Sequence, residues 1–319
     1  MGNRATREAF GATLIELASE GIDVVAIDAD LSGSTTTAKF AAVYPERFFN
    51  VGVAEANMID VAAGLAVAGK VAFTGSFAVF ATGRAYDQVR NTVAYSDLNV
   101  KLAPTHAGVT VGPDGGSHQM LEDIALMRVL PGMRVLVPAD FAAARAAIRL
   151  AASVPGPFYI RLGRAGVPDV HAEDFDVELG RAYVMRDGTD VSLVACGVMV
   201  AEALRAAELL EAEGISAEVI DAMSIKPLDT ERIVASAAKT GAVVTCEEHS
   251  IIGGLGSAVA ETLGEHWPVP LERVGVRDVF GTSGEPAELM EHFGLTGPHI
   301  ANAARAAVAR AREWRRPQR

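Results

Sequence analysis

The chain has 319 residues, a formal net charge of −12 and a pI of about 5.1. This acidic balance excludes a general nucleic-acid-binding protein, which requires a basic face. No apolar run reaches the roughly 18 residues that a membrane-spanning helix requires, and the charged N-terminus predicts an amphipathic helix rather than a secretory signal. Half of the residues are hydrophobic, and the two cysteines, Cys196 and Cys246, lie in apolar runs. We therefore expect one to three domains, buried free thiols and a cytoplasmic location.

Apolar strands alternate with helices through the first half of the chain. The predicted strands are 23–29, 70–76, 99–106, 133–140 and 157–163, and the predicted helices are 4–20, 55–69, 83–96, 117–130 and 142–153. Strands that are apolar throughout and alternate with helices indicate a parallel sheet covered on both faces. The first domain, 1–165, is therefore predicted to be an α/β domain.

A second, shorter series follows an acidic, proline-containing segment at 166–180, which we interpret as a linker. Its predicted strands are 190–197, 216–222, 242–248 and 270–276, with helices at 200–214, 229–241 and 253–265. The sequence therefore predicts a second α/β domain at 181–319, so that both domains are built on largely parallel sheets.

Polar and aromatic side chains follow several strands of the first domain at the point where each strand ends. They are Asp28, Asp30, Ser76, Phe77, Phe80, His106 and Arg164. Ligands of open α/β sheets gather at the carboxyl ends of strands. The sequence therefore predicts one binding site, on the first domain.

Glu55 stands in the stretch FFNVGVAEANMI, which is otherwise apolar, small or amide, with no lysine or arginine beside it in sequence. A carboxyl group without a neighbouring cation can share a proton with a ring nitrogen. By position alone, Glu55 can also be read as the first residue of a helix, where a negative charge complements the helix dipole.

The stretch THAGVTVGPDGGSHQ, residues 105–119, places Asp114 between His106 and His118 in a glycine-rich loop. Histidine transfers protons or donates hydrogen bonds near neutral pH, aspartate accepts from hydroxyl groups, and glycines let the backbone approach a ligand closely. This combination suits a polyhydroxylated substrate with a carbonyl group. The alternative is a solvated loop that caps the next helix. The loop is not a P-loop, since no Gly-Lys-Ser/Thr follows.

Three stretches, RFFNVGVAEANM, SFAVFATGRAYDQVR and THAGVTVGPDGGSHQ, resemble the transketolase family of thiamine-diphosphate enzymes in order and approximate spacing. The resemblance covers essentially the whole chain but only the second half of the family, its pyrimidine-binding and C-terminal domains. The family's GDG motif, which holds the diphosphate through Mg²⁺, has no counterpart in PDGG or RDGT. The resemblance therefore implies a split enzyme whose N-terminal subunit holds the Mg²⁺, with two copies of each chain in a heterotetramer.

The resemblance assigns the cofactor-binding residues. Glu55 matches the glutamate that hydrogen-bonds the cofactor aminopyrimidine, and it is expected to be catalytic. Phe77 and Phe80 match aromatic residues that pack on that ring, although either could be the closer. Their alternative is ordinary core packing. Asp30 matches an aspartate near the cofactor between subunits, or else caps a helix. A tyrosine that some members carry after the aromatic patch is replaced by Gly83 or Arg84.

The resemblance also assigns the substrate-binding residues. His118 is expected to contact the donor carbonyl and first hydroxyl, Asp114 the hydroxyl beside the carbonyl, and His106 the phosphate end of the sugar. His106 and His118 are also expected to be catalytic. The remaining matches are Arg7, Ser34 and Arg164 near the phosphate. Arg161 is the rival of Arg164, Arg7 could instead be a solvated helix residue, and Ser34 a helix cap. The stretch EEHSIIGGLG resembles a family segment at the subunit contact, and its His249 is expected to be structural rather than catalytic.

The implied reaction is transfer of a two-carbon ketol unit between phosphorylated sugars, as in the pentose phosphate pathway. Two alternatives within related enzymes are 1-deoxyxylulose-5-phosphate synthase, because of the stretch GRAYDQV, and the beta subunit of a 2-oxoacid dehydrogenase, which the two-histidine loop disfavours. A further alternative is a non-catalytic subunit. The joint presence of Glu55, His106, Asp114 and His118 argues against it.

Overall fold

The computed structural model describes residues 3–314, so the outermost residues of the two predicted domains, 1–2 and 315–319, lie outside the described part. The strands are β1 Asn3–Ala5, β2 Val24–Asp28, β3 Phe48–Asn50, β4 Val71–Gly75, β5 Val100–Leu102, β6 Arg134–Leu136, β7 Phe158–Ile160, β8 Gly166–Pro168, β9 Tyr183–Arg186, β10 Val191–Ala195, β11 Ala217–Asp221, β12 Ser224–Lys226, β13 Val243–Ser250 and β14 Leu271–Val276.

The helices vary widely in length, and several are single turns. They are α1 Glu8–Ser19, α2 Ser32–Thr35, α3 Thr37–Val43, α4 Glu55–Val67, α5 Tyr86–Gln88, α6 Asp123–Arg128, α7 Phe141–Ser153, α8 Met199–Glu211, α9 Thr230–Thr240, α10 Leu255–His266, α11 Pro286–His292 and α12 Gly297–Trp314. Short 3₁₀ helices span Pro45–Arg47 and Val109–Asp114, and π-helical stretches span Val79–Arg84 and Val89–Ala94. No helix among residues 3–314 has the length and apolar character needed to span a bilayer.

Two largely parallel sheets form the centres of the two domains, and the prediction of two α/β domains is confirmed. The first sheet has the order β12-β6-β7-β5-β4-β2-β3, in which β12 is antiparallel to β6 and the other neighbours are parallel. The second has the order β14-β13-β10-β11-β9, with β9 antiparallel. Because β12 comes from the second half of the chain, the two domains share backbone hydrogen bonds.

Apolar composition explains the central strands. All five residues of β2 and of β10 are buried, as expected for strands that are covered by helices on both faces. Helix α7 buries seven residues, six of them alanines, so it packs closely on the sheet. Cys196 and Cys246 are buried free thiols, as predicted.

Several elements differ from the prediction. The helix predicted at 83–96 is only the three residues of α5 between two π-helical stretches, and the helix predicted at 117–130 begins at Asp123. The strands β1, β3, β8, β9 and β12 and the helices α2, α3, α11 and α12 were not predicted. Most of these strands have three residues, too few for a sequence period to reveal.

The segment interpreted as a linker, 166–180, is anchored to both domains. Its strand β8 pairs antiparallel with β1. Asp140 caps α7 by accepting from the Ala143 amide, and its other oxygen accepts from the amides of Val170 and His171 at 2.7 Å each. The His171 ring contacts Asp221 of the second sheet (Nε2–Oδ2, 2.9 Å). The domain boundaries themselves stay a prediction.

We expect Asp140→Ala to lower the free energy of unfolding by about 3 kcal/mol, since it removes a helix cap and two hydrogen bonds from backbone amides to a buried carboxylate. Urea unfolding followed by circular dichroism measures this loss. The control Asp174→Ala removes an exposed carboxylate of the same segment and should change the free energy by less than about 0.5 kcal/mol. Equal losses in the two variants would show that 166–180 is not anchored through Asp140.

Candidate active site

The candidate site lies at one edge of the first sheet. Strands β7, β5, β4 and β2 are consecutive neighbours and run parallel, so their carboxyl ends lie side by side. Arg164, His106, Phe77 and Asp30 follow these four ends. Pairing between β4 and β5 continues past both strands, because the Ala78 amide donates to the Thr105 carbonyl. This pairing brings the segment of Phe77 next to that of His106.

Glu55 is the first residue of α4, and its side chain is 2% exposed. The Arg84 guanidinium donates from Nη1 to both carboxylate oxygens, at 3.0 and 2.9 Å. The expectation that Glu55 has no cation beside it is therefore wrong. Arg84 lies 29 residues away in sequence, which is why the local pattern around Glu55 did not reveal it.

The π-helical stretch Val79–Arg84 places Arg84 at this carboxylate. The Arg84 guanidinium also lies over the Phe80 ring, 4.6 Å from its centroid. Arg84 thus fills the space between a buried acceptor and an aromatic face. π-Helical turns frequently occur at functional sites, but periodicity in a sequence does not distinguish them from α-helix.

Phe77, Phe80, His106 and His118 form one aromatic cluster. The Phe77 ring stacks on His106 with centroids 3.8 Å apart, and on Phe80 at 5.9 Å and 15°. The His118 ring meets Phe80 edge-on at 5.6 Å. Phe77 is buried and already covered by His106, whereas Phe80 is only half-buried. Phe80 is therefore the more exposed of the two rings, and the group over its face is the half-exposed Arg84.

His106 is nearly fully buried, at 2% exposure, and adopts a positive φ of 61°. Its Nδ1 lies 2.7 Å from the Thr105 hydroxyl. Burial, followed by the positive charges of Arg7 and Arg164, lowers the pKa of His106 to about 3. His106 is therefore a neutral imidazole at neutral pH, able to donate or accept a hydrogen bond but not to carry a charge.

Arg7 and Arg164 bring two cations to the same edge. Arg7 Nη1 donates to the Ser34 carbonyl at 2.9 Å, and Arg164 Nη1 donates to the Val111 carbonyl at 2.5 Å. Arg7 Nε is buried and has no hydrogen-bond partner among the described residues. Burial and the nearby Arg164 lower the pKa of Arg7. An anion bound between the two guanidinium groups would accept a hydrogen bond from Arg7 Nε and would offset the repulsion between the two positive charges.

The other predicted residues lie around this centre. Ser34 contacts Arg7 through its carbonyl rather than its hydroxyl. Asp30 is exposed, has a φ of 65° and accepts from Asn50 Nδ2 at 3.1 Å. Asp114 is exposed on the glycine-rich loop. Asp28 is buried and accepts from the hydroxyls of Thr35 and Thr37, so it holds the turn after β2 rather than facing a ligand.

Burial and hydrogen bonding bear on two rival readings, those of Arg161 and His249. Arg161 is buried and donates from Nε to Asp123 at 2.7 Å, so it is committed to a structural ion pair and Arg164 remains the candidate for an anion. His249 is fully buried, its Nδ1 lies 2.6 Å from the Ser250 carbonyl, and burial lowers its pKa to about 4. These contacts support a structural role for His249.

The glycines of the loop serve a different purpose from the one expected. A Cβ added at Gly108 would overlap the Glu248 carboxylate, one at Gly115 the Ser283 hydroxyl, and one at Gly116 the Gly281 carbonyl. These neighbours belong to the second domain. The glycines therefore allow the loop to pack closely against that domain, and the expectation that they face a ligand is not supported by these contacts.

Two protein-family models match the two domains of the chain. The family model described as transketolase, pyrimidine binding domain, matches residues 3–169, and the one described as transketolase, C-terminal domain, matches residues 180–300. The chain belongs to the transketolase family. As the resemblance implied, it corresponds to the family's C-terminal portion.

Three relatives of the transketolase family are similar over nearly their full length. A transketolase C-terminal section from Methanocaldococcus jannaschii is 50% identical, covering 93% of this chain and 94% of that protein. A 6-deoxy-6-sulfo-D-fructose transketolase subunit from a Clostridium species is 49% identical, covering 93% and 92%. A solved structure titled as a split gene transketolase, inactive beta4 tetramer, is 54% identical with a TM-score of 0.90, covering 97% of this chain and 100% of that chain.

Arg84→Met should destabilise the chain because it leaves the buried Glu55 carboxylate without its cation. Breaking a fully buried ion pair costs about 3–5 kcal/mol. Because the Arg84 side chain is 54% exposed, water can replace part of the contact, and we expect a loss of about 1–2 kcal/mol. Chemical denaturation of the chain without cofactor measures it. Arg90→Met, which removes an exposed arginine whose side chain donates, among residues 3–314, to the neighbouring Asn91 alone, is the control. A loss no larger than in this control would contradict the pairing.

His106→Gln should weaken the dependence of stability on acid. The folded state binds a proton at His106 only near pH 3, whereas the unfolded chain binds one near pH 6.5, so stability is lost as the pH falls between these values. The slope from this group is at most about 1.4 kcal/mol per pH unit. We expect the unfolding free energy of the variant to fall less than that of the wild type between pH 7 and pH 4.5. Parallel curves would show that His106 is not buried as a neutral ring.

Proposed function

We propose that this chain is the pyrimidine-binding subunit of a two-chain transketolase that transfers a two-carbon ketol unit from a ketose phosphate to an aldose phosphate. The observation that carries the proposal is the convergence, at one sheet edge, of a buried carboxylate, a half-buried aromatic ring and a pair of partly buried arginines. Glu55, Phe80 and the pair Arg7 and Arg164 supply these groups.

The contacts of Arg84 support binding of an aminopyrimidine. A guanidinium is planar, donates hydrogen bonds and stacks on aromatic rings. Here it donates to Glu55 and lies on Phe80. An aminopyrimidine is also planar and makes the same two kinds of contact, so the residues present fit this end of thiamine diphosphate. Binding would require Arg84 to release Glu55, and the pairing keeps the carboxylate neutralised until then.

When bound, thiamine diphosphate supplies the carbanion-stabilising chemistry. In the proposed mechanism Glu55 holds a proton at the ring nitrogen of the aminopyrimidine. Phe80 packs on the ring face, and Phe77 supports Phe80 by stacking directly on it from the core side. Asp30 lies further along the edge, and we assign it to the part of the cofactor site that would lie between subunits. These side chains bind and orient, and the buried position of Glu55 excludes water from its carboxylate.

The substrate end of the site is the part with two cations. Arg7 and Arg164 are the proposed phosphate ligands, with Ser34 beside them. Because the pKa of His106 is depressed to about 3, we assign it a neutral hydrogen bond to the sugar near the phosphate rather than proton transfer. His118, edge-on to Phe80, is the proposed contact of the donor carbonyl. Asp114 is the proposed hydrogen-bond acceptor for the adjacent hydroxyl.

A second chain is proposed to complete the cofactor site. The sequence offers no counterpart of the family's GDG motif, so the diphosphate and Mg²⁺ are assigned to an N-terminal subunit, with two copies of each chain in a heterotetramer. The similar solved structure, titled as inactive and as a beta4 tetramer, supports the expectation that chains of this kind associate with one another and are inactive alone.

Reconstitution tests the proposal. The chain is expressed with and without the N-terminal subunit and supplied with thiamine diphosphate and Mg²⁺. Ketol transfer is then assayed from xylulose 5-phosphate, fructose 6-phosphate and 6-deoxy-6-sulfofructose, with pyruvate as the donor that the synthase alternative would use. We expect transfer from a sugar only when both chains are present. Activity of this chain alone, or activity with pyruvate only, would overturn the proposal.

Glu55→Gln should lower the activity of the reconstituted complex by ~10²-fold or more, because the amide cannot exchange a proton with the ring nitrogen. Size-exclusion chromatography should show unchanged assembly. Glu46→Gln, the same substitution at an exposed glutamate, should leave activity within about twofold of the wild type. Full activity in an assembled Glu55→Gln complex would remove Glu55 from the mechanism.

A further inference from the structure

The loop at residues 108–120, here called the substrate loop, carries Asp114 and His118. Its two ends are joined by a hydrogen bond from the Gly108 amide to the Met120 carbonyl at 2.9 Å, and by Gln119 Nε2, which donates to the Val109 carbonyl at 3.1 Å. The positions of both side chains therefore depend on what holds this closed loop in place.

Glu248 of the second domain contacts the base of the substrate loop. Its Oε1 accepts a hydrogen bond from the Thr110 amide at 2.6 Å, and the residue is 3% exposed. Gly108 has a φ of 82°, and any side chain there would overlap the Glu248 carboxylate. The loop backbone and this carboxylate are thus fitted to each other, since a hydrogen bond to a buried charged acceptor is one of the stronger kinds.

Arg161 ties Glu248 to the other end of the loop. Its Nη2 donates to the Met120 carbonyl at 3.2 Å and to the Glu248 carbonyl at 3.0 Å. Its Nε is paired with Asp123, at the start of α6. The entry and exit of the loop are therefore fixed to one buried group of charges in which both domains take part.

The second domain continues along the loop toward its tip. Gln119 Nε2 also donates to the Thr282 carbonyl at 2.9 Å. Gly115 and Gly116 pack so closely on Ser283 and Gly281 that neither could carry a Cβ without displacement. The loop that presents the substrate-binding side chains of the first domain is thus backed by the second domain along its length.

We propose that Glu248 is a positioning residue, which holds the substrate loop through the Thr110 amide so that His118 and Asp114 face the bound sugar. This inference rests on the proposed function. Glu248 touches neither substrate nor cofactor in this role, and it acts by fixing the loop backbone. A displacement of about 1 Å at such a loop lowers catalysis by up to about 10²-fold.

Glu247 provides a matched control. It is the adjacent residue and is fully buried, but its carboxylate accepts from the amides of Leu255 and Gly256 at 2.7 and 2.8 Å, at the start of α10. Loss of either carboxylate should destabilise the second domain. Only loss of Glu248 should affect the substrate loop.

The kinetic test uses the reconstituted two-chain complex. We expect Glu248→Ala to lower kcat/KM for the ketose phosphate by about 10- to 100-fold, chiefly through KM, while the Kd for thiamine diphosphate stays within about twofold. Glu248→Gln keeps an oxygen acceptor for the Thr110 amide and should restore activity to within about fivefold of the wild type. Glu247→Ala should lower the Tm without raising KM. An unchanged KM in Glu248→Ala, or an equal rise in Glu247→Ala, would overturn the inference.

Hydrogen exchange of the chain alone separates this inference from the proposed function. Amides of residues 108–120 should exchange faster in Glu248→Ala than in the wild type, and at the wild-type rate in Glu247→Ala. If ketol transfer fails for every sugar but this exchange pattern is found, the proposed function is wrong and Glu248 still holds the loop. Equal exchange in all three proteins would overturn the positioning role even if the complex is an active transketolase.

Discussion

The ion pair between Glu55 and Arg84 is the contact on which the candidate site depends. A carboxylate that is 2% exposed must be paired or take up a proton, since an isolated buried charge is strongly unfavourable. Arg84 meets this need in the chain without cofactor, and it does so from a half-exposed position. A ring that makes the same contacts could therefore replace it without crossing the protein core. The pair stabilises the chain, and a cofactor ring bound as proposed would compete with Arg84 for Glu55.

At the substrate end of the site, by contrast, two positive charges lie near each other. Burial and then the charge of Arg164 lower the pKa of Arg7, and burial followed by the charges of Arg7 and Arg164 depresses the pKa of His106. Excess positive charge in a partly buried edge is costly in the free chain and favourable once an anion arrives. The Glu55 end of the site is thus neutralised internally by Arg84, whereas at the other end a bound anion would add negative charge beside Arg7 and Arg164. This difference favours a substrate that brings its own negative charge, as a phosphorylated sugar does.

Sequence patterns predicted the parts of this protein that follow from local periodicity. The apolar strands ending before Asp30, Phe77, His106 and Arg164 were recognisable, and the rule that ligands gather at strand ends placed these residues at one edge. The role of Arg84 was not predictable, because it depends on a π-helical turn that has no distinct sequence period. The short strand β12 was missed for a related reason: three residues carry no pattern, and its partner β6 lies about 90 residues away in the chain.

In the glycine-rich loop, the sequence correctly indicated a close approach of the backbone, but the neighbour that it approaches is not the one expected. Gly108, Gly115 and Gly116 predicted close approach of the backbone to something, and sequence alone suggested a ligand. The structure shows that the close neighbours are Glu248, Ser283 and Gly281, more than 130 residues further along the chain. A glycine in a sequence indicates that there is little space beside its backbone. Only the tertiary structure shows which residue occupies that space. The same packing makes the second domain part of the site's geometry, although the predicted cofactor and substrate ligands all lie in the first.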